Sequence, residues 1–278
     1  MNTFLSLTKR NVKMFFKDKG MFFTSLITPV ILLVLYATFL AKIYRDSFAS
    51  ALPEGFTVDE KLISATVGGQ LMSSLLAVSC VTVSFCANLL MVQDKVGGAR
   101  KDMLVTPVRK SVVASSYYVG TLLTTVIVSL VATGACFIYL AINGWYLSFG
   151  DVMLVILDVV ILTMFGTALA SVVNVFLTSS GQASAVGTVV SAGYGFICGA
   201  YMPISQFGGR LQKALMFLPG TYGTSLIRNH CLGGVFREMS SIGFPAEVVD
   251  GIKESIDCNL SFFGNSVSIG AMYAVTLG

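Results

Sequence analysis

Few side chains in this sequence could do chemistry, and most of those are small and uncharged. Asp158 is the one charged residue placed inside a membrane span, and His230 is the only histidine. Charged residues inside membrane spans commonly mark ion or proton pathways. For this lone carboxylate we keep two interpretations, a substrate or relay role and a structural hydrogen-bonded acid, and favour the second. The sequence has no HExxH motif, CxxC pair or histidine cluster, so it predicts no metal site.

Weakly polar residues form two stripes at helical spacing. In each stripe they recur at steps of three and four, and so occupy one face of a helix. Close helix packing is the simpler interpretation, since small residues let membrane helices approach each other. The alternative hypothesis is that both stripes line a central pathway, because an amphipathic substrate needs weakly polar walls without a deep charge. The candidate pathway residues are Ser73, Ser84, Asn88, Ser184, Thr188 and Ser191.

The stretch from Gln93 to Lys110, QDKVGGARKDMLVTPVRK, is a charged island between two runs with no charge. Its two glycines free the backbone, and Pro107 disfavours helix at the preceding residue. Ala99 to Val105 can form about two helical turns. A short helix held between two spans can convert a partner's movement into helix tilt. The candidate coupling residues are Ala99, Arg100, Lys101, Asp102, Met103, Leu104, Val105 and Thr106.

The elements that position these residues are predicted to be membrane helices. Hydrophobic residues make up 55% of the chain and charged residues 12%, about half the soluble average. A helical span needs roughly 20 apolar residues. We therefore predict an all-α polytopic membrane protein with six spans, the last of which looks truncated because little sequence follows its start. The predicted spans are 21–41, 67–92, 112–141, 152–177, 183–201 and 265–278.

The distribution of charge predicts the orientation. Basic residues outnumber acidic ones before the first span and in the Gln93 to Lys110 loop, whereas the opposite side is slightly acidic. Lysine and arginine collect in cytosolic loops. Both termini should therefore be cytosolic, in a multi-pass protein of the plasma membrane, and we expect a bacterial source. The basic excess is a topology signal, so no nucleic-acid partner is predicted.

Residues 1–20 are predicted to form a cytosolic amphipathic helix at the membrane interface, followed by a transmembrane domain over 21–278. On a helical wheel Lys9, Arg10, Lys13 and Lys17 share one arc, and apolar residues fill the other. Such a helix lies with its lysines toward lipid phosphates, which makes membrane lipid a partner. The alternative is a plain charged flank that sets topology. No clear cleavage site follows the first apolar run, so it is interpreted as a retained span.

The outer segment 202–264 is expected to contain re-entrant helices between the fifth and sixth spans. Its first part, Phe207 to Leu218, has too many polar and glycine breaks to span again and is the expected re-entrant or interfacial helix. Of the six cysteines, Cys231 and Cys258 share this segment, on a side where a disulfide persists. These two cysteines are a candidate disulfide. The other four lie in spans, where cysteine is usually a small hydrophobe.

The sequence has no recognisable ATP-binding segment. There is no GxxxxGK[ST] phosphate loop and no soluble segment large enough to hold a nucleotide. The chain is therefore not expected to be an enzyme and needs no cofactor of its own. If transport uses ATP, ATP and Mg²⁺ must bind a separate partner subunit, and the charged island becomes the candidate receiver of that partner's cycle.

With these features in place, the chain resembles the membrane subunit of an ABC-2 type ABC transporter. The matching features are the N-terminal interfacial helix, six spans with cytosolic ends, and GGARKDMLVTPVRKS at the family's coupling-helix position. The block GAYMPIS from Gly199, followed by LPGTYGTSLIR from Leu218, resembles the family's outer gate. The resemblance covers nearly the whole chain. The incomplete sixth span departs from the family pattern.

The resemblance implies two permease subunits, as a homodimer or heterodimer, and two ABC ATP-binding subunits docked on Ala99 to Thr106 and on the interfacial helix. It also implies export through an outer gate, for which Tyr201, Met202 and Pro203 are candidates. An amphipathic drug, antibiotic or peptide is the first expectation for the substrate, by closeness to drug-exporting members. An exporter of a lipid-linked glycan or lipid is the nearest alternative.

Two other classes fit the sequence less well. A secondary transporter would usually have broken helices in repeated halves, and no such repeat is visible. A membrane-embedded enzyme would need converging nucleophiles, bases or metal ligands, and none converge in the sequence.

Overall fold

A computed structural model describes residues 2–36, 41–42, 45 and 59–278 of the chain. Helices dominate these residues, joined by short turns and one two-stranded hairpin. The N-terminal part comprises α1 (Asn2–Lys17), α2 (Lys19–Leu35), α3 (Glu60–Val96), α4 (Ala99–Val105), α5 (Lys110–Asn143), α6 (Phe149–Val175) and α7 (Ser180–Ile197). The C-terminal part comprises a 3₁₀ turn (Ile204–Gln206), α8 (Gly209–Leu215), α9 (Pro219–Ser241), α10 (Ala246–Ser255), β1 (Ser261–Phe262), β2 (Asn265–Ser266) and α11 (Ile269–Leu277).

The all-α membrane architecture is confirmed. Among the described residues α3, α5 and α6 are each long and apolar enough to cross a bilayer, and α2 is a shorter apolar helix. Each of the first five predicted spans corresponds to one helix, α2, α3, α5, α6 and α7 in order. Residues 37–40, near the end of the first predicted span, lie outside the described part.

Helix α3 lies at the centre of the bundle and packs against α2, α5, α6, α7 and α9. Its most apolar window is 94% buried inside the chain, compared with 28% for α5 and 44% for α6. Small residues permit this close packing. A Cβ on Gly69 would lie 2.6 Å from Leu232 Cδ2, and one on Gly166 would lie 3.0 Å from the Cys80 carbonyl oxygen. Helix α3 is therefore shielded by protein, whereas much of α5 is left exposed.

One end of the bundle, here called the basic end, consists of α1, α4 and the adjoining ends of α3, α5 and α6. Helix α1 is amphipathic and packs mainly against α5. Thr8, Asn11 and Phe15 are its buried residues, while Leu5 and Phe16 are exposed. The face that packs on the bundle is thus partly polar, which the predicted wheel did not show.

The opposite end, here called the far end, consists of α8, α9, α10 and the β1–β2 hairpin. The short helix within Phe207 to Leu218 is α8, and most of its side chains are exposed. The helix that enters the bundle is α9, which packs on α3, α6 and α11. The expected re-entrant or interfacial helix thus corresponds to α8, and its position relative to the membrane stays a prediction, whereas α9 packs deeper in the bundle. Glycines explain the difference, because a Cβ on Gly223 would lie 2.5 Å from Leu162 Cδ1 and a Cβ on Gly234 would meet the Tyr146 carbonyl oxygen.

The structure corrects the predicted start of the last helix. Ser261 pairs with Ser266 and Phe262 pairs with Asn265 in an antiparallel hairpin. The predicted start at Asn265 therefore falls in a strand, and α11 begins at Ile269, with Ser268 accepting a hydrogen bond from Ala271 N at its N-terminus. Because hairpin residues use their backbone groups for pairing, the helix cannot begin before the hairpin ends.

Candidate functional site

The predicted short helix in the charged island is present as α4. It begins after Gly98, whose φ of 87° suits glycine, and its last residue is Val105. Thr106 is extended, with ψ of 158°, because Pro107 disfavours helix at the residue before it. The helix thus has the predicted bounds, Ala99 to Val105, and it stands between two turns that separate it from α3 and α5.

Side chains of α4 divide into a packed face and an exposed face. Met103 and Leu104 are partly buried against a hydrophobic cluster that includes Phe15 and Tyr117. Ala99 and Arg100 are also half-buried, whereas Lys101, Asp102, Val105 and Thr106 are exposed. Val105 is 87% exposed and therefore lies on the outward face of the helix.

The end of α3 next to α4 is held by a buried carboxylate. Asp94 accepts two hydrogen bonds from the Arg10 guanidinium, at 2.5 and 3.0 Å, and one from the Tyr117 hydroxyl at 2.6 Å. The side chain of Asp94 is 8% exposed. Its hydrogen bond raises the pKa of Arg10. Because Arg10 lies on α1 and Tyr117 on α5, one carboxylate fastens three helices.

The next residue makes a connection to a fourth helix. Lys95 Nζ donates to the carbonyl oxygens of Val175, at 3.1 Å, and Leu177, at 2.9 Å. The last carbonyls of a helix have no partner within it, and a cation there also interacts favourably with the helix dipole. Lys95 therefore caps the C-terminal end of α6. Sequence reasoning did not single out Asp94 or Lys95, although a charge pair at the end of an apolar run was a visible signal.

The α3 members of the candidate pathway lie inside the packed bundle. Ser73, Ser84 and Asn88 are each no more than 1% exposed. The Ser84 hydroxyl donates to the Cys80 carbonyl at 2.8 Å and lies 3.3 Å from Thr167 Oγ1. The Asn88 amide donates to Thr121 and Ser171 and accepts from Asn174. Within one chain these residues serve helix packing, the simpler of the two interpretations.

The α7 members of the candidate pathway have a different setting. Ser184 and Thr188 are exposed and Ser191 is half-buried. Exposed apolar residues, among them Val189 and Phe196, accompany them on α7. The two predicted stripes therefore do not share one cavity within this chain, and a pathway along α7 stays a prediction.

The candidate outer gate follows the end of α7. Tyr201 and Met202 are half-buried and Pro203 is buried. The Tyr201 ring packs edge-on against Phe196, with centroids 5.0 Å apart, and lies against Gly195, where an added Cβ would fall 2.3 Å from the ring. These contacts fix the tyrosine in place. Its role as a gate stays a prediction.

A buried ion pair that the sequence analysis missed organises the chain around this turn. Arg228 of α9 donates to the carbonyl oxygens of Gly199, at 2.9 Å, and Ile256, at 2.6 Å. Its Nη1 lies 3.8 Å from Asp257, which accepts from the amides of Ile204 and Ser205. Burial is the main influence on Asp257 and raises its pKa, although Arg228 and the two amides oppose the rise. A positive charge thus joins the exit of α7 to the segment after α10.

Asp158 is hydrogen-bonded on both oxygens. His230 Nδ1 lies 2.5 Å from one oxygen, and the Tyr273 hydroxyl donates to the other at 2.5 Å. These contacts join α6, α9 and α11 and agree with the favoured interpretation of a structural hydrogen-bonded acid. Within the part of the chain that the structure describes, no group of three or more histidine, cysteine or acidic side chains could hold a metal ion.

The candidate disulfide is absent from the structure, which has all six cysteines as free thiols. Cys231 packs in the cluster centred on α3 and α6, which includes Leu76 and Leu162. Cys258 packs in a different cluster, with Leu232 and Val235. Each sulfur is therefore enclosed by its own apolar neighbours. Burial also raises the pKa of Cys258 to about 12, which keeps its thiol protonated.

Comparison with known proteins gives one match. The family described as "ABC-2 type transporter" matches residues 2–231, which include α1, the α4 segment and the first part of α9. No curated protein and no solved structure matches the chain. The matched domain is a transmembrane permease domain and not an ATPase, and such domains work with an ABC ATP-binding partner. Because the match covers most of its length, the chain belongs to the ABC-2 type transporter family and is a membrane permease subunit of an ABC transporter.

Proposed function

We propose that this chain is the permease of an ATP-driven exporter that moves an amphipathic drug, antibiotic or peptide out of the cell. The observation that carries the proposal is the exposed face of α4, where Val105 is 87% exposed beside Lys101 and Asp102. An apolar side chain presented among charges suits a protein partner better than a lipid surface. The basic end would then face the cytosol and receive the ATP-binding subunit.

Helix α1 is the second contact in this proposal. Its buried residues pack on α5, while Leu5, Met14 and Phe16 remain exposed beside exposed lysines. Exposed apolar side chains on either side of a lysine face suit the interface between lipid acyl chains and phosphates. We place α1 at the cytosolic membrane surface, where it would meet both lipid and the ATP-binding subunit.

The substrate would pass between this chain and a second permease subunit. Support comes from α7, whose Ser184 and Thr188 are exposed instead of packed within the chain. A weakly polar surface of this kind suits an amphipathic molecule. The gate at Tyr201, Met202 and Pro203 lies at the end of the same helix, so pathway and exit would be continuous.

The test is reconstitution of the chain with a phosphate-loop ABC ATPase in lipid vesicles. Fluorescent amphipathic cations and a cationic antibiotic peptide are the first probes, and a lipid-linked oligosaccharide is the second. ATP-dependent movement of the first group toward the outer face would support the proposal. If only the lipid-linked oligosaccharide moves, the proposed substrate class is wrong and the chain is a glycan exporter. Movement without ATP would contradict an ATP-driven exporter.

A further inference from the structure

The end of α3 carries two adjacent opposite charges, and each fastens α3 to different helices. We propose that Asp94 holds α1, α3 and α5 together as one moving unit, and that Lys95 is a releasable connection between this unit and the α6–α7 pair. Both are positioning residues, since neither touches substrate or nucleotide. The proposal deepens the proposed function and rests on it, because it specifies how a push on α4 would reach the pathway.

The Asp94 connection is built to persist. Its carboxylate is buried, and three hydrogen bonds from Arg10 and Tyr117 satisfy it. Arginine binds a carboxylate through two parallel hydrogen bonds, which fixes direction as well as distance. Breaking such a pair leaves a charge in a poorly solvated place, which costs far more than breaking a surface pair. Helices α1, α3 and α5 are therefore expected to move together.

Packing around Asp94 supports the same conclusion. Asn11 lies beneath Gly120, where an added Cβ would fall 2.9 Å from Asn11 Cβ, so α1 and α5 approach closely. Phe15 is 1% exposed and lies in one cluster with Leu90 and Val113. This contact is continuous from α1 through α3 to α5, and it leaves little freedom for sliding.

The Lys95 connection is built to open. Its ammonium group makes two hydrogen bonds to main-chain carbonyls, with no carboxylate partner among its described contacts. Lys95 is half-buried and Val175 is 44% exposed, so water can replace either bond when the helices part. A cation at an exposed helix end contributes roughly 0.3–1 kcal/mol. Consecutive residues at the end of α3 thus make one strong connection, to α1 and α5, and one weak connection, to the end of α6.

The position of Lys95 in the sequence indicates how a movement of α4 would reach α6 and α7. Lys95 and α4 are separated only by Val96 and two glycines, so a displacement of α4 reaches Lys95 directly. Beyond Leu177 the chain passes into α7 through a short turn, where Gln182 Oε1 accepts from Thr178 N at 2.8 Å. Release of Lys95 would therefore loosen the ends of α6 and α7 next to α4, while Asn88 keeps its hydrogen bonds to Ser171 and Asn174 deeper in α6. Helix α7 carries the exposed stripe and leads to the gate.

The experiment measures two distances by electron spin resonance in the complex with the ATP-binding subunit. Spin-label amino acids are genetically encoded at Lys13 of α1 with Phe176 of α6, and at Lys13 with Ser115 of α5, all exposed positions. Each pair is measured without nucleotide and with ATP–vanadate. We expect the Lys13–Phe176 distance to change on trapping, and the Lys13–Ser115 distance to stay the same.

Variants of Lys95 decide the proposal. In Lys95→Met the trapped Lys13–Phe176 distance should be populated without nucleotide, about two- to fivefold more than in the unsubstituted protein. Lys95→Arg should restore the original distribution, and the matched control Lys213→Met, at an exposed lysine of the far end, should leave it unchanged. A Lys95→Met distribution identical to the original, or a Lys13–Ser115 distance that changes as much as Lys13–Phe176, would overturn the proposal.

Failure of the proposed function gives a different result. If the ATP-binding subunit does not bind, or if trapping moves neither pair, the ATP-driven mechanism fails. The nucleotide-free comparison of Lys95→Met with the original chain still decides the releasable connection without a trapped reference. A shifted or broader Lys13–Phe176 distribution in Lys95→Met supports the connection, and an identical distribution overturns it.

Discussion

Asp158 of α6 and His230 of α9 meet in a buried contact, with Oδ2 and Nδ1 2.5 Å apart and the Asp158 side chain 1% exposed. Tyr273 of α11 completes the arrangement through the other carboxylate oxygen. The only histidine of the chain thus bonds the only carboxylate placed in the middle of a predicted span. This contact joins the last described helix to the centre of the bundle.

Substitutions of Asp158 distinguish a structural role of this carboxylate from a substrate or relay role. Asp158→Asn keeps an oxygen to accept from Tyr273 and an amide that can donate to His230, so transport should continue with a small loss of thermal stability. Asp158→Ala leaves both partners unsatisfied and should cost about 1–3 kcal/mol, seen as a lower melting temperature in detergent. Loss of transport in Asp158→Asn with unchanged stability would favour a relay instead.

Charge on the exposed face of α4 should block docking without unfolding the bundle. Val105→Glu adds a charge where the side chain is 87% exposed, so we expect a normal melting temperature and at least tenfold weaker co-purification of the ATP-binding subunit, the effect of roughly 1.4 kcal/mol. Met103→Glu should lower both the melting temperature and the co-purification of the ATP-binding subunit, because Met103 packs near Tyr117. Ile242→Glu, an exposed site at the far end, is the control. Normal co-purification of Val105→Glu would contradict the docking surface.

Removal of Arg228 should strongly destabilise the far end. Arg228→Met leaves Asp257 and two carbonyls without their partner, and the expected loss is about 3–5 kcal/mol. The double variant Arg228→Met with Asp257→Asn should recover part of it, since no charge remains buried. Thermal unfolding in detergent measures both, with Arg210→Met at an exposed arginine as the control. A loss in the double variant equal to the sum of the losses in Arg228→Met and Asp257→Asn alone would show that the two side chains act independently.

Asp257 should make stability depend on pH in a defined direction. Burial raises its pKa above the ordinary 3.8, so the folded chain holds this proton at pH values where the unfolded chain has released it. The stability that this group contributes is therefore fully present below pH 3.8, and it falls as pH rises through the folded-state pKa. Asp257→Asn should remove that part of the slope, and asparagine tolerates the φ of 56° at this position. An unchanged slope would contradict the raised pKa.

The close approach of α9 to the α5–α6 connection should not tolerate a methyl group. Gly234→Ala would place a Cβ against the Tyr146 carbonyl oxygen, and main chain on both sides must shift, so we expect a loss of at least about 1–3 kcal/mol. Gly251→Ala is the matched control, because nothing lies within 4 Å of its added Cβ. That control should be neutral or stabilising. Equal melting temperatures for the two variants would show that the contact is looser than described.

Sequence patterns were sufficient to predict most of the helices, but not to predict which helices pack against each other. Long uncharged runs predicted five helices, and Pro107 with two glycines predicted α4, because each depends on local composition. The sequence did not indicate that α9 packs deep inside the bundle. Arg228 and several glycines make that segment look polar, and the tertiary contacts that bury it are not visible in one sequence. The hairpin at Asn265 was missed for a related reason, because a two-residue strand leaves no periodic signal.

The candidate site shows the same division. Exposed Val105 lies in the segment that the sequence selected, whereas Asp94 and Lys95 became visible only through partners more than twenty residues away. The stripe on α3 was found correctly as a helical face, but one sequence cannot tell whether such a face meets a pathway or another helix. In this chain it meets helices.

The central position of α3 has a consequence for synthesis. During translation α3 precedes α5, α6 and α9, so it must enter the membrane before these three neighbouring helices exist. Several of its hydroxyls are satisfied in advance, since Ser79, Thr82 and Ser84 donate to carbonyls four residues earlier in the same helix. The Asn88 amide has no such partner until Thr121, Ser171 and Asn174 arrive. Insertion of α3 can thus proceed early, while completion of its polar contacts has to wait for the rest of the chain.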